Sequence, residues 1–180
     1  MRTRDCVLAL DFDGVVWDSI DEAFFISCLT WEKLFGPLPA GLEPGFRAGR
    51  WLSRTAPDFY VLLRLLIEDP ERDFESLSKD EFKARLAQEP EAAHRFDVTF
   101  YATRDEERTT RPQHWLSLQP PYPHFVQVFP QLREAFRDIV ITTTKDEAAV
   151  QFCLQSAGID LRVLGKGFSR DKAEQVRHLP

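Results

Sequence analysis

Several things are scarce in this chain, and each scarcity removes a class of function. A basic surplus is missing: 23 Lys and Arg stand against 29 Asp and Glu, giving a net charge of −6 and a pI near 5.3. A general nucleic-acid binder usually presents a basic face, so nucleic acid is not an expected partner and a small acidic enzyme fits better. Cysteine is sparse. Cys6, Cys28 and Cys153 are odd in number, far apart and set in apolar surroundings, which reads as reduced core residues of a cytoplasmic protein. Long hydrophobic runs are also absent: Arg2 and Arg4 precede an apolar stretch, but Asp11 interrupts it too early for a signal peptide or a membrane span. A cytoplasmic location without a membrane partner is therefore expected. His94, His114, His124 and His178 lack metal-ligand spacing and read as surface or structural residues. Internal repeats and low-complexity tracts are missing too.

What is present is enough apolar material for a real core, 43% hydrophobic residues in 180, in one domain or one domain carrying an insertion. The most specific stretch is VLALDFDGVVWDS, Val7 to Ser19. Its apolar run suits a strand buried on both faces of a parallel sheet. Asp11 and Asp13 follow at once, and in open α/β sheets the ligand crevice lies outside the carboxyl ends of the strands. Asp-Gly also opens hairpins, but Val15 and Val16 lead into a helix signal and not into a return strand. Two carboxylates at i and i+2 on an extended segment project to one side. They repel, which calls for a cation between or beside them; Mg²⁺ is the natural one for a carboxylate site that handles phosphate.

Along the chain, Ser19-Ile-Asp-Glu22 reads as a capping box opening a helix up to Gly36. Gly36 to Gly45 reads as a loop. Further helices are expected from Thr55, from Ser78 and from Pro90 to about Arg108, so Ser19 to roughly Leu118 should be all helical. After Gln119 to Pro123, apolar spacing from Phe125 to Phe136 predicts a helix, and Ile139 to Ile141 a second strand. Thr144-Lys-Asp-Glu147 reads as a capping box for a helix ending at Gly158, Leu161 to Leu164 as a third strand, and Ser169 as the cap of a last helix. This order predicts an α/β protein with a Rossmann-like parallel sheet carrying a helical insertion.

The stretch at Asp11 resembles the first motif of the haloacid dehalogenase superfamily, hydrophobic residues followed by Asp-x-Asp-Gly-Val. The resemblance implies an α/β core, about 1–18 and 119–180, and an inserted α-helical cap, 19–118, in the manner of the phosphoglycolate-phosphatase-like group. It implies a Mg²⁺-dependent phosphatase acting on a small phosphorylated metabolite. Asp11 would be the nucleophile that forms an aspartyl-phosphate, and Asp13 the acid/base. The metal would be held by the Asp11 carboxylate, the Asp13 carbonyl and an acid from a later motif. Gly14, Thr143 and Thr144 are candidates for phosphate binding, with Thr143 as the second-motif hydroxyl and Thr142 as its alternative; threonine also favours strands and helix caps. Lys172, in the first turn of a helix where its charge gains nothing from the dipole, is the candidate third-motif lysine. Lys166, between two glycines, competes with it.

The superfamily's fourth motif, one or two acids after another strand, has no counterpart before Pro180. Asp146 and Asp171 read more simply as helix-start residues. The C-terminal part of the core is therefore expected to be missing, leaving the Asp11 strand as an apolar edge through which copies could associate. Arg47, Arg50 and Arg54, around Trp51 in a glycine-punctuated loop, are candidates for choosing an anionic substrate, and equally a solvated basic loop. A phosphomutase, or a non-catalytic fragment that binds a phosphorylated ligand or a protein, is the alternative function.

Overall fold

The computed structural model describes residues 5–179; Arg2, Arg4 and Pro180 lie outside the described residues. The chain forms two compact units, one made of the segment up to Ser19 together with Leu116 onward, the other of Ile20–Trp115.

The first unit is α/β. Strands β1 (Val7–Leu10), β2 (Asp138–Thr142) and β3 (Arg162–Leu164) form a parallel sheet in the order β1-β2-β3. β2 is paired on both sides, and every residue of it after Asp138 is buried. The apolar run of β1 suggested burial on both faces. It is only half-buried along its length, because among the described residues it has a single neighbour and forms the expected apolar edge. Beside it lies an open groove of about 380 Å³, lined by Leu10, Val15, Val16, Tyr122, Phe125 and Val128 among others. The register pairs Leu10 with Ile141 and Thr142 with Leu164, so the three strands end along one edge. The loops after them emerge together, where an α/β sheet places its ligand crevice.

The helices of this unit depart from expectation in their caps. In chain order the second unit contributes α1 to α5, described below, and α6 (Pro112–Ser117) closes that helical run; the sheet unit adds α7 (Pro123–Ala135), α8 (Glu147–Ser156) and α9 (Lys172–Arg177). Helices α7 and α9 pack on β2, and α8 on β3. Thr144 is not the cap of α8: Asp146 is, accepting from the Ala149 N–H at 2.8 Å. Ser169 is likewise displaced by Asp171, which accepts from the Ala173 N–H at 2.8 Å. In both cases an aspartate two residues further on reaches the exposed N–H groups, and its charge suits the positive end of the helix. Gly158 ends α8 as expected, with a φ of 68° and the Ile159 N–H returning to Leu154 O at 2.9 Å, the left-handed turn that glycine favours there.

The second unit is helical: α1 (Ile20–Phe35), α2 (Glu43–Gly49), a 3₁₀ turn (Arg50–Leu52), α3 (Ala56–Glu68), α4 (Lys79–Gln88) and α5 (Pro90–Thr110). The capping boxes read from sequence at Thr55/Asp58 and Ser78/Glu81 are formed. The stretch up to Gly45 is not all loop. Helix α2 starts at Glu43 with Pro44 in its first turn, a place where proline's missing N–H costs nothing. Its register is held by Gly45 and Gly49, where a Cβ would stand 2.3 Å from Leu66 and 2.4 Å from Leu62. Stacked and tilted rings join Phe46, Phe59 and Phe100, and Trp31, Tyr60 and Phe96.

Glu22 has a larger role than the cap assigned to it. It is fully buried, and its carboxylate accepts from Arg104 Nε at 2.7 Å, from Arg104 Nη2 at 3.1 Å and from Trp115 Nε1 at 3.2 Å. Removing one member of such a pair leaves a buried charge uncompensated. Glu22→Leu should therefore lower stability by about 3–5 kcal/mol in urea unfolding, and Glu22→Leu with Arg104→Met by clearly less.

None of the three cysteines is in a disulfide, but only Cys153 is a core residue; Cys6 and Cys28 are half-buried. Burial, followed by the Glu32 and Glu43 carboxylates, pushes the Cys28 thiol up to about 12. The thiolate is the reactive form, so iodoacetamide at pH 8 should modify Cys28 in the folded protein on the order of 100-fold more slowly than in urea. No described helix is long and apolar enough to cross a membrane.

Candidate active site

The loop after β1 is built to hold two acids still. Phe12, between them, is fully buried and stacks on Trp17, with ring centroids 5.2 Å apart and planes 12° from parallel. The N–H groups of Val16 and Trp17 both donate to Phe12 O, at 3.1 and 3.0 Å. Gly14 has a φ of 78°, a conformation that side chains other than glycine resist. Its N–H donates to Trp17 O at 2.8 Å. The N–H of the candidate phosphate binder Gly14 is thus spent on closing the turn, and the glycine is there for its backbone angle. Asp11 is steadied by the Phe12 N–H, which donates to Oδ1 at 2.8 Å.

The cation demanded by the two carboxylates is supplied twice, by lysines from the other two strand ends. Lys172, on the first residue of α9, forms an ion pair through Nζ with Asp11 Oδ2. Lys145 Nζ lies 3.3 Å from Asp13 Oδ1, which also accepts from the Ser19 hydroxyl. Lys145 donates as well to Gln119 Oε1 at 3.1 Å and lies 5.6 Å from the centre of the Phe12 ring. Its side chain is 3% exposed, a state lysine reaches only when paired.

In the sequence Lys145 is hidden as the second letter of a capping-box pattern. One signal was available: it stands three residues beyond the end of β2, as Asp13 stands three beyond the end of β1. In a parallel sheet those positions converge.

The remaining candidates separate clearly. Thr143 is buried, and its hydroxyl oxygen accepts from the Lys145 N–H at 3.1 Å, a bond that does not use the hydroxyl proton. The Thr142 hydroxyl lies 3.5 Å from Leu10 O. Thr144 is half-buried in the turn before α8. Lys166 has its backbone N–H on Lys145 O at 3.1 Å; the ammonium beside Asp11 is that of Lys172. The glycines flanking Lys166 serve close approach, since a Cβ at Gly165 would stand 2.7 Å from Lys145 O and one at Gly167 2.9 Å from the Glu147 carboxylate. That carboxylate accepts from the N–H groups of Gly167 and Phe168 at 3.3 and 3.1 Å. Asp146 and Asp171 are helix caps, as their sequence positions suggested.

The arginines do not form a loop cluster. Arg47 lies in α2 and pairs with Glu43 and Asp21, while Arg50 lies in the 3₁₀ turn, donates to Ser53 and covers the Phe59 ring. Arg54 is exposed before α3, with its backbone N–H on Asp58 Oδ2 at 2.8 Å.

For a divalent cation, Asp11 and Asp13 offer hard oxygen donors of the kind Mg²⁺ takes, one or two carboxylates completed by water and phosphate. Among the described residues no group of three acidic, His or Cys side chains gathers round a point. The donor set thus fits Mg²⁺ and no all-protein cage.

A parallel sheet with acids after its first strand, a helical segment inserted next and lysines from the following loops is the haloacid-dehalogenase-like fold. The chain is similar in structure to a haloacid dehalogenase-like hydrolase from Streptococcus pneumoniae, at a TM-score of 0.58 and 15% identity over 96% of this chain and 67% of that one. It is similar too to a predicted phosphoglycolate phosphatase from Haemophilus somnus 129pt (TM-score 0.58, 16% identity, 95% and 66%). A predicted phosphatase from Clostridium acetobutylicum gives 0.58 and 14%, over 97% and 68%. The chain thus spans about two thirds of the length of these proteins. No protein-family model and no curated protein matches it.

Gln175 holds the lysine loops in place. It is fully buried, and its Nε2 donates to Thr143 O at 2.8 Å, Gly165 O at 3.2 Å and Ser169 O at 2.6 Å. Gln175→Leu takes the amide donor from Thr143 O and Ser169 O, while Gly165 O keeps the Phe168 and Ser169 N–H groups, so it should cost about 1–3 kcal/mol in a denaturant titration.

Proposed function

We propose that this protein is a Mg²⁺-dependent phosphomonoester hydrolase working through an aspartyl-phosphate. The observation that carries the reading is the pair of acids at the end of β1, each matched to its own lysine, with Lys172 on Asp11 and Lys145 on Asp13. An Asp11 oxygen attacks phosphorus, the bond from phosphorus to the ester oxygen breaks, and Asp13 gives that oxygen its proton. Asp13 then takes a proton from the water that attacks the phosphoryl group, which releases inorganic phosphate and restores Asp11. Lys172 offsets negative charge at Asp11 and the phosphoryl oxygens, and the Thr143 hydroxyl proton can serve one of those oxygens. The Asp11 carboxylate and the Asp13 carbonyl would hold Mg²⁺, which would supply further charge neutralisation. A halide leaving group needs no proton, so the presence of Asp13 favours phosphate esters over haloacids. The substrate class is a small phosphorylated metabolite. The helical unit of residues 20–115 would serve as the substrate-selecting cap that the family resemblance implies.

The test is release of inorganic phosphate from an aryl phosphate with and without Mg²⁺. The wild-type chain should turn over only with the metal, and Asp11→Asn should lose at least about 10³-fold, the nucleophile being indispensable. Equal rates for the two proteins would sink the mechanism. Retained binding of a phosphate analogue without turnover in either would favour the binding protein, a reading consistent with the absence of a third gathered acid among the described residues. Transfer of the phosphoryl group to a sugar hydroxyl without release of phosphate would indicate a mutase.

A further inference from the structure

The proposed reaction asks Asp13 to hand a proton to one atom, the ester oxygen, and later to take one from water. A carboxylate can do this only if its orientation is set, since an aspartate side chain turns about two bonds and has two oxygens to offer. In this chain one oxygen, Oδ1, receives both the Ser19 hydroxyl and the Lys145 ammonium. Two donors on this oxygen limit how the carboxylate can turn, and so set the direction it faces.

Lys145 is itself held from four directions. Its ammonium meets Gln119 Oε1 at 3.1 Å and the face of Phe12 at 5.6 Å. Its N–H meets the Thr143 hydroxyl at 3.1 Å, and its carbonyl accepts from the Lys166 N–H at 3.1 Å. A buried ammonium could be a structural plug. Against that, a lysine costs much to bury, and a methionine of similar length would fill the same space without the charge.

We propose that Lys145 is a positioning residue: through Asp13 Oδ1 it aims the acid/base carboxylate at the leaving oxygen, so its loss is felt in proportion to how much that oxygen needs a proton. The inference rests on the phosphatase reading and adds to it a residue from outside the opening motif. Ser19 is the neutral partner on the same oxygen, adjacent to the same loop.

The experiment compares Lys145→Met with the wild type on two series of Mg²⁺-supported substrates, nitro-substituted aryl phosphates, whose leaving groups depart without a proton, and simple alkyl phosphates, which need one. A positioned general acid is worth on the order of 10²–10⁴-fold. kcat/KM of Lys145→Met should therefore fall on the order of 10-fold to 100-fold further for alkyl than for nitroaryl esters. In an Asp13→Asn background the same substitution should add no further leaving-group discrimination, because interacting residues are not additive. A parallel loss on both series, or a discrimination that persists without Asp13, overturns the inference and leaves a structural lysine. Should Lys145→Met fail to fold in a thermal melt, Lys145→Gln, which keeps a donor but no charge, carries the same comparison. Failure of the phosphatase reading looks different: the wild-type chain releases phosphate from neither series, and the positioning role falls with it.

Discussion

Two carboxylates one residue apart at the end of an apolar strand repel each other, and the sheet unit is arranged around relieving that repulsion. Each acid has an ammonium of its own, Lys172 for Asp11 and Lys145 for Asp13. Neither lysine is near the acids in sequence. They arrive because β1, β2 and β3 run parallel in register, so the loops after all three strands leave the sheet at the same edge. An antiparallel strand in any of these places would send one loop to the opposite edge and leave an acid uncompensated.

Keeping the lysines there requires the loops to be tied to one another. Glu147 holds the Gly165–Phe168 loop by two backbone N–H groups, and that loop closes on Lys145 O through Lys166. Gln175 then draws the carbonyls of Thr143, Gly165 and Ser169 to one amide. The glycines at 165 and 167 permit the approach, since a Cβ on either would collide with Lys145 or Glu147. The helical unit relies on different devices, rings packed on rings and the buried Glu22–Arg104 pair, whose guanidinium covers the Phe100 ring.

Much of the fold was legible along the chain. The three strands, the Thr55 and Ser78 capping boxes and the Gly158 stop are written locally, in runs of apolar residues and in side chains that satisfy their own neighbours' N–H groups. The misread caps had the right chemistry at the wrong residue. Thr144 and Ser169 can cap a helix, but an aspartate stands two residues beyond each, and which of them lies at the helix start depends on where the preceding loop is pinned. Arg47 and Arg50 were misplaced for a related reason. Glycine and proline suggest a loop, while the gaps that Gly45 and Gly49 leave for Leu66 and Leu62 belong to helix packing.

The sequence by itself determined the order of strands and helices and the two acids after β1, because these depend on periodicity and on neighbours a few residues apart. Only the tertiary structure decided which charges meet. Glu22 stands at cap spacing from Ser19 and is the buried partner of Arg104, 82 positions away. Lys145 stands inside a capping-box pattern and is the partner of Asp13, 132 positions away. An ion pair depends on distance in space, and strand register, loop ties and burial set that distance with no trace in the local pattern.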